Sequence, residues 1–321
     1  MEPRGQCADA VLMVEPKAFG FNPDTARTNT FQHADPADPG APAAAAAMAR
    51  SQALGEFRQL VRALESEGVA VCAVPDTDVP AKPDALFPNN WVSFHADGTL
   101  VLYPMESASR RPERRQEVVE SVIGRLGFTL RHLLDLTHFE GKGMFLEGTG
   151  SLVLDHVARV AYACASPRTH PALVAEWAQE LEYEPVVFQA ADAAGVPLYH
   201  TNVVMWIGER VALVGAAAIA AADRDRVLGR LRASGREVLE IGHAGIARFA
   251  GNMLELGTWD EALGDSRVLV MSETARRSLD AESYARLSAC TDAVLAVPVP
   301  TIERLGGGSV RCMLAEVFGR T

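Results

Sequence analysis

The stretch Val92-Ser93-Phe94-His95-Ala96-Asp97-Gly98-Thr99-Leu100-Val101-Leu102-Tyr103 reads as two short buried strands around the turn Ala96-Asp97-Gly98. A helix over residues 112–127 and a strand over 129–134 follow it. The same order of strand, strand, helix, strand then returns. Residues 152–163 give two strands around Asp155-His156, then a helix over 171–181 and a strand over 185–189. Residues 203–214 turn at Gly208-Glu209 and lead to a helix over 216–233 and a strand over 237–241. A fourth round runs from Met253 through Val268 to Met271, with a helix over 281–289 and a strand over 293–297. Upstream, residues 8–14 form a buried strand and Phe19 to Asp24 a polar loop. A helix over 48–66 carries Leu54, Phe57, Leu60, Val61 and Leu64 at helical spacing, and residues 69–74 are β-rich. Residues 36–47, rich in Pro and Ala, are expected to be an exposed insertion. One repeated supersecondary unit, with no linker between rounds, predicts a single closed α/β array over residues 1–321.

Composition narrows the function. A chain of 321 residues, 48% hydrophobic and 22% charged, is ordinary for a globular enzyme with a large core. Its formal net charge of −11 argues against a nucleic-acid surface and against an anionic membrane face. No apolar run is long enough to span a bilayer, and the N-terminus has no signal-peptide pattern. Five cysteines without a CxxC pair signal neither a disulfide framework nor zinc, so free thiols in the cytoplasm are expected. His132, His138, His156, His170 and His243 show no ligand pairing at i, i+4, and no glycine loop opens a helix after a strand. Neither a metal nor a cofactor is expected.

Polar side chains interrupt the strand pattern at five places: Phe87-Pro88-Asn89-Asn90-Trp91, Phe145-Leu146-Glu147-Gly148-Thr149-Gly150, Tyr199-His200-Thr201-Asn202, Phe249-Ala250-Gly251-Asn252, and Leu305-Gly306-Gly307-Gly308-Ser309-Val310-Arg311-Cys312. Singly, each is more often a turn residue or a core thiol than a catalytic group. Together they supply a nucleophile, Cys312, a base, His200, and an orienting acid, Glu147, which is the set an activated thiol needs. The three glycines read as a flexible turn that lets the loop carrying Cys312 close on a small substrate.

These motifs resemble the guanidino-group-modifying, or amidinotransferase, superfamily. Leu146-Glu147-Gly148, the strand-leading His200, and Gly307 to Met313 with one extra residue match its motifs. The resemblance implies the pentein fold, five ββαβ modules around a pseudo-fivefold axis, and Cys312, His200 and Glu147 as the catalytic set. It also implies that Arg110, in Ser109-Arg110-Arg111-Pro112-Glu113, and Arg168 hold a substrate α-carboxylate, a role that suits the guanidinium fork. Arginine deiminases of this superfamily grip a guanidinium between carboxylates, whereas this chain has Asn90 and Asn202 at those positions.

Amides both donate and accept but carry no charge, so a neutral ureido group fits them better than a buried cation. Their donors would stabilise an oxyanion by roughly 3 kcal/mol each. With Asn22 and Phe87 in stretches similar to the citrulline-hydrolase branch, and Asn252 as a further substrate contact, the expected reaction is hydrolysis of L-citrulline to L-ornithine, ammonia and carbon dioxide through a Cys312 adduct. The alternatives are an arginine- or methylarginine-directed hydrolase and, from another class, a non-catalytic pentein binding protein. The expected partner is a small amino-acid substrate; a homodimer is left open.

Overall fold

The computed structural model describes residues 5–34, 43–260 and 264–320. In chain order, β1 (Ala10–Glu15) leads to α1 (Ala43–Ser66) and β2 (Ala70–Pro75). The stretch that opened the reading forms β3 (Val92–Phe94) and β4 (Thr99–Leu102), followed by α2 (Gln116–Leu126) and β5 (His132–Asp135). The next rounds are β6 (Leu152–Asp155), β7 (Val160–Cys164), α3 (Pro171–Glu180) and β8 (Glu184–Phe188), then β9 (Met205–Ile207), β10 (Val211–Val214), α4 (Ala221–Ala233) and β11 (Glu237–Glu240). The last are β12 (Leu254–Asp260), β13 (Gly264–Ser272), α5 (Ala281–Ala289) and β14 (Ala293–Val297). The chain ends through α6 (Pro300–Gly306) and β15 (Ala315–Val317).

Each module pairs its first strand antiparallel to its second and its second parallel to its third. Thus Ser93 faces Val101 and Leu100 faces Leu133, and the register recurs in β6–β8, β9–β11 and β12–β14. The round that is incomplete at the N-terminus is closed from the other end of the chain: β15 pairs antiparallel with β1, Ala10 opposite Val317, while β1 pairs parallel with β2. These are the five ββαβ modules of a pentein. One bridge, Val317 to Phe94, joins two modules into a six-stranded sheet.

The helices pack against the strands. In α1 the buried residues are Ala53, Phe57, Leu60 and Leu64, a stripe at helical spacing that packs into the cluster holding Met13, Leu256 and Ile302. Burying each Leu or Phe fully is worth about 1.5–3 kcal/mol. Gly68, at φ 83, turns the chain out of the helix where a side chain would be strained.

Several boundaries differ from the sequence reading, each for a local reason. The helix α1 begins at Ala43, so residues 43–47 of the expected insertion are helical; residues 36–42 lie outside the described residues. The helix expected from residue 112 starts at Gln116, because Ala108–Glu113 is a 3-10 segment that buries Arg110 and Glu113. Likewise α4 starts at Ala221, after a 3-10 turn over Ala216–Ala218. The loop Phe19 to Asp24 runs into a short helix, Pro23–Ala26, capped by the Asn22 side chain. The glycines near the C-terminus are not a free turn. Gly306 ends α6 and Gly307 is its left-handed cap, while Cβ atoms on Gly306 and Gly308 would lie 2.9 Å from the Phe87 ring. Close packing, not mobility, calls for glycine there. Among the described residues, no helix is long and apolar enough to cross a membrane.

Candidate active site

The first strand of every module is entered through a tight turn, and each turn carries one or more polar groups to the centre. Pro88–Asn90 precedes β3, Gly148–Ser151 precedes β6, Thr201–Val203 precedes β9, Phe249 to Asn252 precedes β12, and Val310–Met313 precedes β15. Asn90, Glu147, His200, Asn202, Asn252 and Cys312 all sit in or beside these turns. All six are buried.

Glycine makes the convergence sterically feasible. Gly148 holds φ 45, and a Cβ there would stand 2.1 Å from the Asn89 carbonyl oxygen. A Cβ on Gly150 would meet Asn90 Nδ2 at 2.5 Å and His200 Nδ1 at 2.7 Å, so these two groups crowd one point.

Glu147 and His200 form a fixed pair. His200 Nε2 lies 2.9 Å from Glu147 Oε2. Burial pulls the imidazole down to about 4, against the raising effect of that hydrogen bond. Burial alone would raise the Glu147 carboxyl, but Arg168, His200 and Arg110 together hold it at about 2. The pair is therefore a neutral imidazole donating Nε2–H to a carboxylate, which leaves the Nδ1 lone pair free to accept a proton. The other carboxylate oxygen, Oε1, accepts the Glu106 N–H at 3.1 Å. The backbone behind Glu147 is tied down by Ser151 Oγ, which accepts the Glu147 N–H at 2.9 Å and donates to the Arg168 carbonyl at 3.0 Å.

Two guanidiniums flank the pair. Arg168 donates from Nε to Thr28 Oγ1 at 2.8 Å and from Nη2 to the Thr25 carbonyl at 2.7 Å, and its Nη1 stands 3.4 Å from Glu147 Oε2. Arg110 is held by Glu113 in a bidentate pair at 2.9 and 2.8 Å. Its Nη1 donates to Asn90 Oδ1 at 2.7 Å and its Nη2 to the carbonyls of Asp84 and Phe87. Arg168 thus keeps more donors free for a ligand carboxylate than Arg110 does. Burial raises the Glu113 carboxyl to about 7 despite Arg110.

Because Arg110 takes Asn90 Oδ1, the Asn90 amide must present Nδ2, a donor without a protein partner, toward the site.

Sequence reasoning missed Asp84. This buried carboxylate accepts from Asn22 Nδ2 at 2.7 Å and Thr25 Oγ1 at 3.1 Å through Oδ2, and its Oδ1 has no hydrogen-bond partner. Burial raises its pKa, with Arg110 as the main opposing influence. The local signal was weak: one aspartate in an exposed-looking Pro/Asp stretch, six residues before Asn90.

A small cavity joins these groups. It is lined by Asp84, Asn90, Arg110, Arg168, His200 and Cys312, with Phe87, Tyr199 and Gly306 to Gly308 as its less polar wall. The sequence-predicted contacts divide accordingly. Asn90, Arg110, Arg168 and Phe87 line the cavity. Asn22 does not; its side chain caps a helix and braces Asp84. Neither Asn202 nor Asn252 lines it, since both turn their Nδ2 to the Cys312 sulfur, at 3.6 and 3.3 Å. The amide argument for a ureido substrate therefore loses Asn202 as a substrate contact. Among the described residues, no group of three or more His, Cys, Asp or Glu is placed to hold a metal ion.

A family model described as N,N dimethylarginine dimethylhydrolase, eukaryotic, matches residues 15–319. No curated protein matches the chain significantly. Among solved structures, the chain is similar to ArgZ, an arginine dihydrolase from the ornithine-ammonia cycle in Cyanobacteria, with TM-score 0.71 and 17% identity over 96% of this chain and 40% of that one. It thus spans less than half the length of ArgZ. The substrate-bound N-terminal domain of ArgZ alone gives TM-score 0.69 at 16% identity, covering 96% of this chain and 98% of that one. A dimethylarginine dimethylaminohydrolase adduct with 4-chloro-2-hydroxymethylpyridine gives TM-score 0.61 at 15% identity, covering 96% and 99%.

Proposed function

The chain belongs to the N,N dimethylarginine dimethylhydrolase family, within the guanidino-group-modifying superfamily, and on that premise we propose that residues 1–321 act as one catalytic domain, in the cytoplasm, hydrolysing the guanidino C–N bonds of free L-arginine. It is a hydrolase of amidine-type C–N bonds; the substrate and the residue roles are our reading. One observation carries the choice of arginine. The charged groups lining the cavity, or bonded directly to its lining, are the carboxylates Asp84, Glu113 and Glu147 and the guanidiniums Arg110 and Arg168, with His200 neutral. With all three carboxylates ionised, as above about pH 7 where Glu113 has lost its proton, that balance is at least one negative charge in excess. Arginine, with one net positive charge, neutralises it, whereas zwitterionic citrulline leaves a buried negative charge uncompensated. Citrulline as the incoming substrate, expected from the amides alone, is therefore the weaker reading. The description of ArgZ as an arginine dihydrolase points the same way. Methylated arginine suits the family description and carries the same net charge, so comparing turnover of the two substrates must separate them.

In this reading Arg168, with Arg110, takes the α-carboxylate and Asp84 Oδ1 the α-ammonium, while the aliphatic chain lies along Phe87 and the glycines. Cys312 Sγ attacks the guanidino carbon. His200 Nδ1, having taken the Cys312 thiol proton, passes it to the leaving nitrogen, which departs as ammonia and leaves an amidino-thioether on Cys312. His200 Nδ1 then removes a proton from water, which adds to the same carbon, and the C–S bond breaks to give the ureido compound. Asn90 Nδ2 is a donor facing the site, and a guanidinium has no acceptor for it. An acceptor appears only when water has put oxygen on the carbon, so Asn90 favours the species formed after the first hydrolysis. A second round then yields ornithine and carbamate, for a total of one arginine and two waters giving ornithine, two ammonia and carbon dioxide.

The test is product stoichiometry with L-arginine, N-methylated arginines and L-citrulline offered separately to the purified chain. Ornithine with two ammonia per arginine is expected. Release of dimethylamine from dimethylarginine without arginine turnover would refute the substrate assignment, and accumulating citrulline would refute the second round.

A further inference from the structure

We infer that Asn252, assisted by Asn202, forms an amide cradle behind Cys312 that stabilises its thiolate before substrate binds. The inference rests on Cys312 being the nucleophile of the reaction proposed above. Asn252 is fully buried and stands outside the substrate cavity. Its orientation is fixed by partners of known polarity. Oδ1 accepts the Arg311 N–H at 3.1 Å, so Nδ2 must face the other way, where it donates to the Asn202 carbonyl at 3.1 Å and to Cys312 Sγ at 3.3 Å. A flipped amide would set oxygen against oxygen and against sulfur. Asn202 adds a second donor, its Nδ2 at 3.6 Å from the same sulfur.

The backbone bringing Asn252 there is specialised. Phe249 holds φ 61, which is uncommon for a non-glycine residue, and a Cβ on Gly251 would lie 2.7 Å from the Val203 carbonyl oxygen. The Phe249 to Asn252 turn is thus pressed against the turn that carries Asn202.

The chemistry follows from the sign of the contacts. Amide N–H groups bind a negatively charged sulfur more strongly than a neutral thiol, so two of them favour loss of the thiol proton. A carboxylate at either position would act in the opposite sense. Asn202 therefore acts on the nucleophile and not on the substrate.

The test uses the full-length chain without substrate. The rate at which iodoacetamide alkylates Cys312 is followed against pH by peptide mass spectrometry, which separates it from the other four cysteines. Asn252→Ala is expected to slow alkylation at pH 7 about tenfold and to displace the rate profile to higher pH, with the high-pH plateau retained. Asn252→Asp should displace it further. A purely structural role would lower the melting temperature without moving the profile. Folded variants with an unmoved profile would overturn the cradle. If the Asn252 variants do not fold, Asn202→Asp carries the test: it sets a carboxylate beside the sulfur and must move the profile up, and an unmoved profile overturns the inference. Because no substrate takes part, failure of arginine turnover with the displacements intact would count against the proposed reaction alone.

Discussion

Replacing Asp84 by Asn tests how the cavity reads an amino acid. In the wild-type chain Oδ2 is held by Asn22 and Thr25, and Oδ1 has no partner. In Asp84→Asn the amide oxygen keeps the Asn22 and Thr25 bonds, so the NH2 group takes the place of Oδ1 and turns an acceptor into a donor facing the ligand ammonium. A hydrogen bond to a charged group is worth about 1.5–3 kcal/mol, which corresponds to about a 10–150-fold loss of affinity. Calorimetric titration of L-arginine into Cys312→Ser, with and without Asp84→Asn, measures it without turnover. Citrulline should lose as much as arginine, since both carry the α-ammonium, and 5-guanidinopentanoate, which lacks that group, should lose almost nothing.

The pH dependence has a definite sign. Burial raises the folded-state pKa of Asp84, so protonation as the pH falls competes with the ammonium, and arginine affinity drops in the wild-type background but not in Asp84→Asn. A raised carboxylate also contributes stability below its unfolded pKa and loses it as pH rises through the folded one. The ligand-free variant should therefore be no less stable at pH 8. A change in arginine affinity below threefold, or an equal loss for the des-amino compound, would refute the assignment of Asp84.

Gly150→Ala should abolish turnover, by a factor of about a hundred or more, because the added methyl meets Asn90 and the His200 ring; Gly124→Ala, in α2 with open space around it, should keep activity and gain up to about 1 kcal/mol in urea unfolding. The folded-state pKa of His200, about 4, lies below its unfolded value of 6.5, so its contribution is lost as the pH falls from about 6.5 to about 4, by up to about 1.4 kcal/mol per pH unit. Glu113, raised to about 7, works in the opposite sense over part of that range, so the check is the difference between wild type and His200→Asn in unfolding free energy against pH. A difference that does not shrink on acidification would contradict a neutral buried imidazole. Arg236→Ala should cost about 3–5 kcal/mol in urea unfolding by leaving the buried Asp155 carboxylate without its ion pair, while arginine turnover under native conditions is retained.

The sequence by itself determined the local units and the chemical identities. Period-two apolar runs broken by Asp-Gly and Gly-Glu turns require strands, and the helical stripe on α1 requires a buried face, because both follow from side-chain direction along the backbone. The three members of the proposed catalytic set, Cys312, His200 and Glu147, were legible as residue types whose chemistry is intrinsic. Only the tertiary structure decided how they are used. Closing the first module needs Ala10 to pair with Val317, a contact that no local pattern encodes. The direction of an amide depends on partners supplied by other modules. Thus Asn90 shows the site a donor because Arg110 takes its oxygen, and Asn252 faces the sulfur because the Arg311 N–H takes its own. Asp84 became visible only when Arg110, Asn22 and Thr25 closed around it. In the sequence it is one acidic residue among many; in the fold it is a buried charge whose second oxygen has no protein partner, and desolvation makes that oxygen's partner a matter of several kcal/mol.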